Sequence, residues 1–184
     1  MNNCYLDAEA VITFFRMTGR KHIFITGSRG SGKSHLVNNM LKHMSDSFNL
    51  LQSHRTDTPQ VVIKSNLVAD NKEFVIGIPR TSGINPASKG NNMTIIEDGF
   101  INCAIPAIDT HLDTTPEMLF VIDELGYLES SCIPFQKAVE KLLDNSHVLA
   151  VIRKQSTEFL NRIYNRKDVL VIDIDSTFET LSCI

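Results

Sequence analysis

The chain has 184 residues, enough for one domain with a substantial hydrophobic core. Its formal net charge is -3 and it has no block of Lys or Arg, which argues against nucleic acid as its main partner. No apolar run approaches the roughly 20 residues that span a bilayer, and the first residues lack the basic-then-apolar layout of a secretion signal. We therefore expect a cytoplasmic protein with no membrane partner.

Cysteine and histidine spacing gives no sign of a zinc or redox site. The six histidines follow no metal-ligand pattern, and no two cysteines form a C-x-x-C pair. We expect free thiols at Cys4, Cys103, Cys132 and Cys183.

In chain order, the first predicted element is a helix over residues 6–17, with Asp7 as its N-cap and Gly19 after its end. The apolar, β-branched run 22–26 then predicts a buried parallel strand. Residues 34–41 have apolar side chains at helical spacing and predict the next helix.

Between this strand and this helix lies a full match to the phosphate-binding P-loop, G-x-x-x-x-G-K-[ST]. Glycines let several backbone N–H groups point at phosphate oxygens, and the following helix adds the positive end of its dipole. We expect Lys33 to reach the β- and γ-phosphates and the Ser34 hydroxyl to bind Mg²⁺. A flexible glycine-serine turn is the alternative, but the strand–loop–helix context favours the P-loop. The predicted nucleotide-binding residues are Gly27, Ser28, Arg29, Gly30, Ser31, Gly32, Lys33 and Ser34.

Residues 47–92 carry weaker signals. Short apolar runs at 61–63 and 74–78 predict strands, and the polar residues 69–72 between them suit a hairpin turn. The stretch 80–92 is rich in turn-forming residues and predicts a mobile loop.

The pattern sharpens after Asp98. A helix is predicted over residues 101–112, with Pro106 as a kink or an early break. Continuous apolar runs predict three further buried strands, at 118–122, 148–152 and 169–172.

Helices that begin near Pro134 and Ser156 separate these strands. Apolar strands that alternate with helices specify an α/β fold with a mostly parallel central sheet. We expect one P-loop NTPase domain over residues 1–184, in which residues 1–20 form a helical extension.

Two acids follow the apolar run 118–122, at the edge of the sheet where the P-loop would also lie. Asp123 is expected to hold Mg²⁺ opposite Ser34, although an Asp after a core strand can also cap a helix. Glu124 is placed to polarise an attacking water, with a purely structural acid as the alternative.

Two arginines are further candidates. Arg153 follows the strand 148–152 and would emerge at the same edge, either to stabilise charge on the departing phosphate or to form an ion pair. Arg29 lies inside the P-loop, and we expect it to face water.

These residues give the chain a resemblance to a known family. The segments 121–130 and 148–154, together with the P-loop, resemble the small nucleoside-triphosphatase family of RecA-like P-loop proteins. The family's Walker B element, D-E-I-G-x-M-E, is matched by Asp123, Glu124, Gly126 and Glu129, with Leu125 and Leu128 as near-equivalents. The resemblance implies a three-layer fold and Mg²⁺-dependent hydrolysis of ATP, GTP and related triphosphates to the diphosphate and phosphate, with little base discrimination.

Two alternatives stay open. A nucleoside or small-metabolite kinase could use residues 80–92 as a lid, but no acceptor-site motif is evident. A nucleotide-dependent switch or assembly ATPase could dock an unidentified protein partner through the helix 6–17.

Overall fold

An eight-stranded sheet runs through the molecule in a computed structural model that describes residues 6–44, 47–80 and 93–177. The strands β1 to β8 are, in chain order, His22–Thr26, Phe48–Arg55, Val61–Ser65, Phe74–Pro79, Met93–Ile95, Leu119–Leu125, His147–Ile152 and Val169–Asp173. The helices α1 to α7 are Ala8–Thr18, Lys33–Met44, Glu97–Gly99, Ile105–Thr114, Ile133–Asn145, Glu158–Tyr164 and Ile174–Thr177. Phe100–Ala104 forms a π-helical turn, and Ala69–Asn71 and Glu129–Ser131 form short 3₁₀ turns.

The strand order β5-β4-β3-β2-β6-β7-β1-β8 divides the sheet into two parts. Strands β2, β6, β7, β1 and β8 pair in parallel, whereas β3, β4 and β5 extend the sheet from β2 by antiparallel pairing. The predicted α/β fold with a mostly parallel sheet is confirmed. The predicted hairpin is confirmed too, since β3 and β4 pair antiparallel across the turn at Ala69–Asn71.

Helices cover both faces of the sheet, which gives three layers. Helices α1 and α2 pack on one face, against alternate side chains of β1 such as Ile23 and Ile25. Helices α4, α5 and α6 pack on the other face, against Phe24 and Phe120. Because both faces are covered, the central strands contain continuous apolar runs, which is why they could be predicted.

The first helix has the ends that were predicted. Asp7 caps α1 by accepting a hydrogen bond from the backbone N–H of Glu9, and Gly19 ends it at φ 64°. Two large apolar side chains of α1, Phe14 and Met17, are exposed.

Strand β2 was not predicted. Only Asn49 and Leu51 of its eight side chains are buried, and β2 joins the parallel part of the sheet to the antiparallel part. It therefore lacks the continuous apolar run by which the other parallel strands were recognised. The short strand β5 was missed as well.

The type of helix changes just before Pro106. Phe100–Ala104 is π-helical, and α4 begins at Ile105 with Pro106 in its first turn. The predicted break is therefore a change from π-helix to α-helix and not an end of the helical backbone.

The predicted start of α6 was one residue early. Thr157, not Ser156, is its N-cap, because the Thr157 hydroxyl accepts from the backbone N–H of Leu160 at 3.1 Å.

Two of the four cysteines lie in the described part of the chain. Cys103 and Cys132 are buried free thiols, as predicted, and burial raises the pKa of Cys103 to about 11. Within the three described ranges, no helix combines the length and apolarity that crossing a membrane requires. Cys4, Cys183 and the predicted loop beyond Arg80 lie outside the described residues.

Candidate active site

The P-loop connects β1 to α2 at the carboxyl edge of the parallel strands. Gly30 and Gly32 have φ values of 77° and 93°, in the left-handed region that favours glycine. A Cβ at Gly30 would have open space within 4 Å, so the backbone conformation, not crowding, calls for glycine there.

Lys33 curls back over the loop. Its Nζ donates to the carbonyl oxygens of Gly27 at 2.9 Å and Ser28 at 2.8 Å. Ser34 follows at the exposed start of α2. An ammonium group held at the loop by two of its carbonyl oxygens is a cation already placed for an anionic ligand.

Strand β6 brings the two acids to the same edge and is longer than predicted, since it continues through Asp123 and Glu124 to Leu125. The pairing register between β6 and β7 shifts between Asp123 and Leu125, and Glu124 has no partner residue on β7. Successive residues of a regular strand point to opposite faces, and an irregularity in the pairing changes the direction of a side chain. Both acids can therefore line one cleft.

The Asp123 side chain is half-buried and has one long hydrogen bond. Gln52, its register partner on β2, donates to Oδ2 at 3.4 Å. Burial raises the pKa of the Asp123 carboxyl, while the hydrogen bond from Gln52 opposes that shift. A half-buried carboxylate with one long hydrogen bond is a site that a cation would stabilise.

Glu124 forms an ion pair with Arg153. The Arg153 Nε lies 2.7 Å from Glu124 Oε2, and the backbone N–H of Arg153 donates to Leu125 at 2.9 Å. The Arg153 side chain lies across Gly126, where a Cβ would come within 2.9 Å of its Cδ. Burial works against the charge of Arg153, but the hydrogen bond and charge of Glu124 outweigh it and raise the pKa of Arg153. Of the two interpretations left open for Arg153, the structure shows the ion pair.

Glu129 fixes the turn that follows Glu124. It is only 6% exposed, and its carboxylate accepts from the backbone N–H of Gly126 at 3.0 Å and from the Ser53 hydroxyl at 3.3 Å. Burial raises the pKa of Glu129. Glu129 does not line the large cleft, so it supports the site by holding this turn in place.

A cleft of about 710 Å³ joins these parts. The walls include all three predicted catalytic residues, Lys33, Glu124 and Arg153, and both predicted metal ligands, Ser34 and Asp123. The complete lining is Gly27, Ser28, Arg29, Gly30, Lys33, Ser34, Arg55, Asp123, Glu124, Val151, Arg153, Lys154 and Gln155. Two predicted loop residues, Ser31 and Gly32, are not among them. Arg29 is exposed as predicted, but it also lines the cleft.

Several cleft residues were not found from the sequence. Arg55, Lys154 and Gln155 line the cleft, and Asp175 holds the loop from behind. The Asp175 carboxylate accepts from the backbone N–H and the hydroxyl of Ser28 at 2.8 and 2.6 Å. Lys154 is the one that could have been found, because it directly follows Arg153.

The donor set fits Mg²⁺ better than a transition metal. No group of three or more His, Cys, Asp or Glu in the described ranges could hold a metal ion. Mg²⁺ at phosphate sites uses one or two protein oxygens and completes its shell with phosphates and water. The Ser34 hydroxyl and the under-satisfied Asp123 carboxylate supply two such oxygens in one cleft.

Comparison with known proteins points to one family. The family model described as NTPase matches residues 22–178. Nucleoside-triphosphatase THEP1 of Thermotoga sp. (strain RQ2) is 26% identical over 155 residues, which is 83% of this chain and 86% of that protein. The protein of the same name from Thermotoga maritima is 23% identical over 154 residues, 83% of this chain and 86% of its own length.

Solved structures share the fold. The crystal structure of THEP1 from the hyperthermophile Aquifex aeolicus has a TM-score of 0.65 at 18% identity and covers 87% of this chain and 96% of that one. The solution structure of a human cancer-related nucleoside triphosphatase has a TM-score of 0.59 at 17% identity, over 89% of this chain and 96% of that one.

Proposed function

We propose that this chain, which belongs to the NTPase family and is a nucleoside-triphosphate phosphohydrolase, cleaves ATP and GTP to the diphosphate and phosphate. In the proposed reaction, hydrolysis depends on Mg²⁺ and Glu124 activates the attacking water. One observation carries the proposal: the P-loop and the acid pair of β6 line a single cleft, although about 90 residues separate them in the chain.

In the proposed reaction, the P-loop binds the phosphates. Residues 27–34 supply backbone N–H groups, and Lys33 exchanges its bonds to the carbonyls of Gly27 and Ser28 for the β- and γ-phosphate oxygens. Those two carbonyl bonds hold the ammonium at the loop before the nucleotide arrives, so little reorganisation is needed.

Ser34 and Asp123 would hold Mg²⁺. The ion, when bound, would neutralise charge on the phosphates. Asp123 belongs to the Walker B element that the sequence suggests, and its half-buried carboxylate would gain in the ion the partner that Gln52 provides only at 3.4 Å.

Glu124 would accept a proton from the water that attacks the γ-phosphorus. Oε2 of Glu124 is bonded to Arg153, and the bound triphosphate would draw Arg153 towards its own charge, which would leave both carboxylate oxygens available to the water. Both interpretations of Arg153 then apply in sequence: an ion pair with Glu124 before binding, and a phosphate contact afterwards. We also propose that α1 acts as an extension of a single P-loop domain, because it packs on α2.

A phosphate-release panel tests the proposal. Purified protein is expected to release phosphate from ATP and GTP with Mg²⁺, and to lose that activity when the metal is chelated. CTP and UTP in the same panel measure base discrimination. Absence of phosphate release from every triphosphate, with Mg²⁺ present, would contradict the proposal.

No described residue favours the kinase alternative, since its lid lies almost wholly outside the described ranges. The switch alternative keeps one supporting observation, the exposed Phe14 and Met17 of α1. The cytoplasmic location stays a prediction.

A further inference from the structure

Arg55 is a cation of the cleft for which neither the sequence pattern nor the proposed reaction supplies a role. It is the last residue of β2, and it is exposed. Together with Glu124 and Arg153 it lines both the large cleft and a second, polar pocket of about 40 Å³ beside it. These three side chains therefore stand at the boundary between the two spaces.

The other cations of the cleft are mostly occupied within the protein. Lys33 binds loop carbonyls, Arg153 binds Glu124, and Lys154 lies within 3.1 Å of carboxylate oxygens of the β8–α7 segment. Among residues 6–44, 47–80 and 93–177, the side chains of Arg29 and Arg55 form no hydrogen bond or ion pair. Two of the five cations lining the cleft are thus available to a ligand without breaking an existing bond.

The strand order places these two arginines at opposite ends of the cleft. Arg29 belongs to the loop after β1, whereas Arg55 ends β2, and β7 and β6 lie between them. At about 4.8 Å per strand, β2 is one strand beyond the acids and three strands from the loop. If the β-phosphate lies in the loop and the γ-phosphate faces the acids of β6, as the proposed function has it, then the triphosphate points towards Arg55 and the nucleoside away from it.

Strand geometry also sets the side on which Arg55 points. Alternate residues of a strand share a face, so Arg55 lies on the face of Ser53. The Ser53 hydroxyl is 3.5 Å from the carbonyl oxygen of Glu124 and 3.3 Å from Oε1 of Glu129. Arg55 therefore lies one step beyond a residue that already contacts the backbone of Glu124.

We propose that Arg55 binds the γ-phosphate and so makes the site prefer nucleoside triphosphates to diphosphates. The inference rests on the proposed function, because it takes the direction of the nucleotide from the P-loop and the acid pair. A guanidinium can donate two parallel hydrogen bonds to phosphate oxygens, and the diphosphate product has no group at that position. Discrimination of this kind would also help the product to leave.

Binding measurements on Arg55→Gln test the proposal without requiring turnover. Calorimetry with Mg²⁺ gives dissociation constants for ADP and for the β,γ-imido analogue of ATP. We expect the variant to bind the analogue about 10- to 100-fold more weakly, the size of a lost charge-assisted hydrogen bond, and to bind ADP within about 2-fold of wild type. Arg55→Lys keeps the charge but not the paired donors, and should fall in between.

Arg29→Gln is the matched control, because it removes the other unpaired cation of the same cleft. It should weaken the binding of both nucleotides by similar factors and leave the ratio of their dissociation constants unchanged.

Retained ADP binding in Arg55→Gln shows that this variant is folded. Equal weakening of both nucleotides by Arg55→Gln, or no weakening of either, would overturn the proposal. If wild type binds both nucleotides but releases no phosphate, the proposed hydrolysis fails while the ratio still decides the role of Arg55.

Discussion

At the carboxyl edge of the parallel strands, an open cleft is lined by charged side chains, of which Arg29 and Arg55 have no partner among the described residues, whereas near the amino edge several polar side chains are buried and bonded to one another. Asp123 at the carboxyl edge has one long hydrogen bond, from Gln52. His111 near the amino edge is fully buried between Asn49 and Ser146, at 2.8 and 2.7 Å. Burial costs the same kind of free energy at both edges, but only the carboxyl edge leaves the compensation to a ligand.

The amino-edge contacts form a one-way chain. Asn49 donates from its amide to Nδ1 of His111, which assigns the proton of the ring to Nε2, and Nε2–H then donates to Ser146. Ser146 donates in turn to the carbonyl of Pro116 at 2.8 Å. The bond from Asn49 needs a neutral imidazole, because Nδ1 must accept, and burial lowers the pKa of His111 in keeping with this. Titratable residues near the amino edge therefore stabilise the fold, whereas those at the carboxyl edge are placed to bind a ligand.

The largest expected effect is at the carboxyl edge. Lys33→Ala should lower kcat/KM for ATP by at least about 10³-fold, because a positioned cation that stabilises the transferring phosphoryl group is lost. Lys42→Ala, at the other end of α2, should leave kcat/KM unchanged. Steady-state phosphate release measures both, and equal activity of the two variants would contradict the role of Lys33.

Glu124→Gln should slow turnover by about 10²-fold or more while nucleotide still binds, because a general base is removed and its shape is kept. Glu117→Gln is the control from the amino edge, where Glu117 is exposed. Single-turnover kinetics and nucleotide titration separate the two effects. Full turnover by Glu124→Gln would show that water is activated in another way.

At the amino edge, we expect an effect on the pH dependence of the free energy of unfolding instead of on activity. His22 is fully buried at the start of β1, and the backbone N–H of Val148 donates to its Nδ1 at 3.2 Å. Desolvation lowers the pKa of His22 to about 4, despite Asp168 at 3.4 Å, which raises it; Lys21 and Arg166 lower it further.

A histidine whose pKa is lower in the folded than in the unfolded state destabilises the fold as the unfolded state takes up its proton. The free energy of unfolding should therefore fall by on the order of 3 kcal/mol between about pH 6.5 and pH 4. Urea denaturation across this pH range should show this fall in the free energy of unfolding in wild type and in Lys33→Ala. The fall should be smaller in His22→Asn, and an unchanged fall in that variant would assign the effect to other groups.

The smallest effect is expected behind the P-loop. Asp175 bonds to Ser28 and to Lys154 on the exposed side of the loop, and these bonds lower the pKa of its carboxyl. Asp175→Asn keeps the shape but loses the charge, so we expect KM for ATP to rise by about 2- to 5-fold with kcat little changed. A Michaelis–Menten series measures the two constants. A fall in kcat alone would point to a role in the chemical step.

The sequence predictions were more accurate in the parallel part of the sheet than at its border with the antiparallel part. Strands β1, β7 and β8 were predicted closely because both of their faces contribute to the core and their sequences contain continuous apolar runs. Strand β2 was missed because it borders the antiparallel part and has a half-polar face. With β2 undetected, Arg55 had no position and could not be assigned to the cleft.

The P-loop, most of the buried strands and the acid pair could be predicted from local sequence, because each depends on neighbouring residues whose spacing can be read along the chain. Which side chains share the cleft depends on how the strands are arranged in space. Asp123 and Glu124 line it together at a shift in the pairing register of β6 with β7, and Arg55 joins them because β2 lies beside β6. Strand order and register are set by packing across the whole sheet, so no local pattern reveals them.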